Sequence, residues 1–213
     1  MIMTNGGGTV TARKQLKLLI ARGELAEARA ERMMRSCAAE AAEVRLAGGD
    51  QLMLDRHAWR TSTLLDAERM LQKVLPPEVD LGEVFEGYAT RFLIGSDVMT
   101  ELRTSTACVL VSGEVCRWLM LVAAEILHAV EAAADPNFGC QASISIDHRE
   151  DGLVMRIVSV GGYDRPVPRE SGAAALARTG RLMKLFGRFD KRVDGADVTY
   201  EATFLGGRVC AAS

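Results

Sequence analysis

Three histidines stand in this 213-residue chain: His57, His128 and His148. Imidazole is the side chain best suited to pass protons or phosphoryl groups near neutral pH. His57, with Arg60 and Thr61 following, lies in a run free of Gly and Pro, so a rigid helix would carry it. It reads either as an exposed nucleophile or as a hydrogen-bonded histidine on a stripe with Met53 and Leu64. His128 lies in an apolar helical run and reads as half-buried and structural. His148 sits among Asp147, Arg149, Glu150 and Asp151, as solvated surface would. The three are too dispersed for a metal site. The cysteines, Cys37, Cys108, Cys116, Cys140 and Cys210, form no CxxC pair and read as reduced, partly buried thiols. No P-loop and no GxSxG elbow occurs.

The elements that must position these groups come in two parts. Residues 1–77 carry +3 and the remainder −5. The small net charge of −2 gives no reason to expect a nucleic-acid partner. Apolar residues make up 48% of the chain and charged residues 25%, enough for a buried core. The first residues lack an apolar signal core, and no run approaches the roughly 18 apolar residues of a membrane helix. The expectation is a cytoplasmic protein with no membrane partner.

Residues 1–12, rich in Gly and Thr, are expected to be a loose tail. From 13 to 46 strong helix formers dominate, with no Pro and only Gly23. Ala-Gly-Gly-Asp at 47–50 breaks the run. A second helix is expected over 51–75, with Met53, His57, Arg60, Leu64, Ala67, Leu71 and Val74 stepping by four and three. Pro76 and Pro77 end it. Two such helices should form an antiparallel hairpin over 13–77, and two hairpins a four-helix bundle in a homodimer. The Glu/Arg run from Glu24 to Arg35 reads as a docking face or as a solvated face with pairs one turn apart. Met33, Met34, Met53 and Met70 read as core, or as an adaptable partner surface.

Residues 78–213 read as a second domain. Asp80 caps a helix to about 93, and a strand follows at 109–112. An apolar helix covers 114–134, and a hairpin of strands covers 142–147 and 153–160. A helix follows at 172–186, with Gly187 as its cap. Two strands, 188–193 and 197–205, turn at Asp194-Gly195. The fold class is α+β: the helical hairpin, then an α/β sandwich with an antiparallel-rich sheet and helices on one face.

The second domain, over about 80–206, resembles the Bergerat-like ATPase domain of histidine kinases, close to the HWE and HisKA_2 subfamilies. Asp80–Glu83 resembles the segment opening that domain. Ser112–Leu119, leading into 121–134, resembles the strand and helix of the N box. Residues 156–162 and 172–187 fall where the two glycine boxes sit, and 195–204 resembles the closing strand. The hairpin resembles the dimerisation and phosphoacceptor region of the same kinases, and His57-Ala-Trp-Arg60-Thr61 resembles the His-x-x-Arg-Thr of an H box. The resemblance makes His57 a candidate phosphoacceptor, with Arg60 and Thr61 beside it.

The same resemblance implies an eroded nucleotide site. Glu125 matches the family acid. The magnesium-holding Asn one turn on is Ala129, which has no oxygen to offer. Ser159 or Val160, followed by Gly161 and Gly162, falls where the family has the Asp that binds adenine. Gly172 opens a second box lacking paired glycines. His128 lies beside Ala129. Arg165-Pro-Val-Pro-Arg169 falls on the lid, stiffened by two prolines. The implied protein needs no cofactor or metal of its own. It resembles dimeric phosphorelay histidine phosphotransferases, which exchange phosphoryl groups with response-regulator receiver domains. A non-catalytic regulator acting by protein binding and an active kinase with an atypical ATP site are the alternatives.

Overall fold

The computed structural model describes residues 6–46, 48, 50–106, 109–135, 137–150, 152–160, 170–205 and 209–210. Its architecture is α+β: a helical hairpin followed by a sandwich of helices on a sheet.

The hairpin pairs α1 (Gly6–Leu46) with α2 (Gln51–Gln72). Asp50 caps α2, its carboxylate accepting from the Leu52 amide at 3.1 Å. The helices run antiparallel, so Glu43 meets His57, Glu40 meets Thr61 and Arg29 meets Glu68. α1 holds 41 residues, about 62 Å at the usual rise. It overshoots α2, and its first half lies over the sandwich, where Arg181 reaches Glu24. It also begins at Gly6, inside the stretch expected to be a loose tail. Extending an existing helix costs far less than starting one, so weak formers can follow a long helix outward.

The α2 stripe is largely as its spacing predicts: His57, Arg60, Ala67 and Leu71 are buried. Val74 departs from it. The helix ends at Gln72, Lys73 turns extended, and Val74 is left exposed. Part of this stripe packs on its own sandwich. A Cβ on Gly95 would come within 2.6 Å of Leu64 Cδ2, so glycine sets this close approach.

The sandwich continues with β1 (Glu78–Asp80), α3 (Leu81–Gly95), β2 (Met99–Thr106), β3 (Leu110–Ser112) and α4 (Gly113–Ala133). Then come β4 (Cys140–Arg149), β5 (Gly152–Val160), α5 (Glu170–Met183), β6 (Gly187–Asp194), β7 (Asp197–Leu205) and β8 (Val209–Cys210). The Asp80 carboxylate accepts from the amides of Gly82 and Glu83, and Ser112 Oγ from Val115. Each cap fixes where its helix begins.

The main sheet has the order β2-β4-β5-β7-β6, antiparallel except for the parallel pair β2–β4. A small sheet joins β1, β3 and β8. Sequence patterning misses β1, β2 and β8. β2 is an edge strand, Met-Thr-Glu-Leu-Arg-Thr-Ser-Thr, with two apolar residues among eight and thus little alternation to detect. Gly187 is a second departure. α5 already ends at Met183, and Gly187 opens β6, where a Cβ would run into the Thr203 carbonyl.

The core sits around α4, whose apolar residues are buried nearly all round. Only a helix covered on both sides buries that way. The sheet lies beneath it, and α1 crosses above, with Arg22 over the Trp118 ring at 5.0 Å and Leu25 buried. Among the described residues no helix is long and apolar enough to cross a membrane.

Candidate functional site

Glu125 projects from the middle of α4 and is 1% exposed. A lone carboxylate so deep would be strongly destabilising. Two guanidiniums hold it. Arg32 Nη2 of α1 donates to Oε1 at 2.6 Å, and Arg178 Nε of α5 donates to Oε2 at 2.8 Å. Three elements distant in sequence are therefore pinned at one carboxylate. One turn on, Ala129 is completely buried. Ser159 is buried on β5, and Gly172 is buried in the first turn of α5. Gly161, Gly162 and the 165–169 segment lie outside the described residues.

Toward the end of α4, His128 is half-buried. Its Nδ1 lies 3.0 Å from Glu131 Oε2 and its ring 5.3 Å from that of Phe92. Ser96 Oγ donates to the other Glu131 oxygen. His128 and Glu131 line a cavity of about 280 Å³ with Arg32, Leu64, Glu68 and Asp97. Burial, then the nearby Glu68 carboxylate, pushes the Tyr88 hydroxyl well above its ordinary value. Burial also raises the thiols of Cys116, to about 12, and Cys140, to about 11, whereas Cys37 is exposed.

His57 lies elsewhere, in the hairpin seam. It is 6% exposed, and neither ring nitrogen has a hydrogen-bond partner. Glu43 Oε2 stands 3.7 Å from Nε2, beyond hydrogen-bond reach. Arg60 pairs with Asp97 of the loop between α3 and β2. The Thr61 hydroxyl donates to Glu40, whose other oxygen is buried without a partner. The three H-box-like residues thus share one buried seam, apart from the Glu125 site. His148 is on the surface, as its neighbours in sequence imply.

Sequence reasoning misses Arg32, Arg178 and Glu131. It treats the Glu24–Arg35 run as a docking or solvated face, and the structure corrects this in part: Arg29 is buried against Glu68, and Arg32 is half-buried against Glu125. A signal does exist. Leu25, Arg29, Arg32, Ser36 and Glu40 step by four and three, and all turn inward. They form a core stripe written largely in polar residues, so a search for apolar periodicity passes over it. Of the methionines, Met34 is exposed and Met70 packs on the core.

No family model matches the chain, and no curated protein matches it in sequence. In structure it is similar to a bacterial phosphotransferase solved at 1.7 Å, with a TM-score of 0.59 and 13% identity, over 86% of this chain and 95% of the other. The chain shares its fold with that protein. Looser matches include the histidine kinase domain of the Erythrobacter litoralis EL346 blue-light activated kinase, with TM-score 0.48, 14% identity and coverage of 89% and 94%. A histidine kinase from Burkholderia phymatum STM815 gives 0.45, 15%, and 83% and 99%.

A magnesium nucleotide, which a Bergerat-type fold implies, does not fit these residues. Glu125, which the resemblance sets at the acid of that fold's kinases, is held by two arginines, and Ala129, which it sets at the metal-holding Asn, is a methyl group sealed in the core. Among the described residues no group of His, Cys, Asp and Glu could hold a metal ion.

Proposed function

We propose that this chain is a two-component signalling protein that works without ATP, docking a response-regulator receiver domain or another signalling protein through its helical hairpin. One observation carries the reading. The residue that matches the kinase acid is spent on holding α1 to α4 and α5, beside a buried Ala129. A kinase needs that carboxylate free and an oxygen ligand for magnesium one turn on. The bacterial phosphotransferase whose fold it shares supports a setting in which phosphoryl groups are passed on.

The hairpin supplies the docking surface. Leu16, Leu19, Leu52 and Trp59 are exposed on it, more apolar surface than a solvated hairpin needs. We assign part of that surface to a second copy in a homodimer and the rest to the partner.

Phosphotransfer through His57 is the second reading, favoured by the orphaned ring. Buried groups without partners cost stability and persist where function needs them. In this reading the seam opens at His57, and Nε2 or Nδ1 attacks the phosphorus of an aspartyl phosphate, displacing the aspartate.

The test is to treat the folded protein with phosphoramidate, beside a His57→Ala control, and to locate any phosphate by peptide mass spectrometry. Failure to label His57, with receiver binding unchanged in the variant, supports docking alone. Phosphate on His57 that leaves on adding receiver domains establishes the second reading. A thermal shift with magnesium ATP, absent with either component alone, would sink both and restore a kinase.

A further inference from the structure

A groove of about 290 Å³ runs between the first half of α1 and the end of α5, away from both His57 and the cavity beside His128. Its floor is apolar. Leu25 and Leu182 are each 2% exposed, and Leu185 joins them. Ile20 forms one wall at 54% exposed, and Leu16 and Leu19 extend the apolar strip along α1 at helical spacing.

The rim is basic. Lys17, Arg178, Arg181 and Lys184 stand around the groove against the single acid Glu24. Arg178 is turned to Glu125, and Arg181 lies 3.3 Å from Glu24. Lys17 and Lys184 make no ion pair with another described residue. The chain as a whole carries −2, so this local excess of cations runs against its overall sign.

We propose that this groove docks an acidic amphipathic helix of a partner protein. Along α1 the lining spans Lys17 to Leu25. That is about 12 Å of rise, room for two turns of a helix with apolar anchors at i, i+3 and i+7. The apolar floor takes the anchors, and the rim cations meet carboxylates flanking them, which sets partner choice and encounter rate. A second copy is the poorer occupant. From Arg13 to Gly23 the helix carries Arg13, Lys14, Lys17 and Arg22 and no acid, so a two-fold pairing of this face would set like charges together. The groove does not use His57, so the inference stands or falls apart from phosphotransfer.

The experiment uses the full chain and a fluorescein-labelled designed helix of roughly three heptads, Leu at a and d with Glu at the flanking positions. Its twin carries Lys for Glu. Fluorescence anisotropy should show the acidic helix binding at least about tenfold tighter, with affinity falling as salt rises. The Lys17→Glu/Lys184→Glu variant, with an unchanged circular dichroism spectrum and melting temperature, should lose that preference. An Ile20→Ser variant should weaken the acidic helix while keeping the preference for it. Equal binding of the two peptides, or full affinity in the double charge variant, overturns the proposal. So does an Ile20→Glu variant that turns a dimer into a monomer while the peptide fails to compete, which would give the groove to a second copy. Lys17-dependent binding to anionic lipid vesicles without any to the acidic helix would overturn it as well.

Discussion

The molecule holds two buried polar clusters, built in opposite ways. At Glu125 a carboxylate lies under α1 with both oxygens met by guanidiniums from different elements. At His57 an imidazole and a Glu40 oxygen are buried without hydrogen-bond partners, while Arg29 and Arg60 nearby pair with Glu68 and Asp97. The carboxylate of the first cluster is satisfied and holds the fold together. The second is only partly satisfied, and its unpaired imidazole works against the hairpin that contains it. A buried carboxylate with both oxygens paired to arginines of other elements ties those elements together. A buried histidine without partners has no such use, so the weak seam is where function should be sought.

Four experiments would break or sharpen that contrast. The largest effect is expected at Glu125. Arg32→Ala leaves the buried carboxylate with one partner and should destabilise the protein by about 3–5 kcal/mol in urea unfolding. Replacing all three residues, Glu125, Arg32 and Arg178, with apolar residues should recover much of that loss. Recovery would identify an uncompensated charge, not lost packing, as the cause.

Gly95→Val comes next. It drives two methyl groups into Leu64, lifts α2 from α3 and should cost about 1–3 kcal/mol. Hydrogen exchange should rise along α2 and leave the β4–β5 pairing protected, if the hairpin and sandwich are separate cooperative units.

His57→Leu should have the opposite sign. It removes a buried imidazole without partners and should raise stability by about 1 kcal/mol in the same urea assay. A loss of stability would mean that the seam is better satisfied than its geometry shows.

The smallest effect belongs to a pair on the open face of the sheet, Glu201 with Arg156 at 2.9 Å. The hydrogen bond from Arg156 holds the Glu201 carboxyl below the ordinary glutamate range. A lowered carboxylate contributes stability above its unfolded value, and the contribution disappears as pH falls through the folded value. Glu201→Gln should therefore cost less than about 1 kcal/mol near neutral pH and nothing in acid. Urea midpoints of both proteins across that range give the curve.

Much of the fold is legible in the residues. The break at 47–50, the Asp80 and Ser112 caps, the alternation of β4 and β5 and the turn at Gly195, with φ of +60°, are local chemistry. β2 and β8 are not legible, because an edge strand or a short one takes its conformation from its neighbour's hydrogen bonds. The Glu125 position is legible through resemblance, but its partners are not. Arg32 lies 93 residues away and Arg178 lies 53 away, and the inward stripe that carries Arg32 is written largely in polar residues, which apolar periodicity does not register.

The sequence by itself determined the α+β class, the long hairpin and the charge of each half, because these depend on residue type and short-range spacing. Only the tertiary structure decided that α1 lies across α4, that Glu125 is locked by two arginines, that His57 is sealed in the seam and that a basic groove opens beside α5. The physical reason is desolvation. Whether a charged or polar side chain is solvated, paired or stranded depends on which distant element covers it, and that is a property of packing.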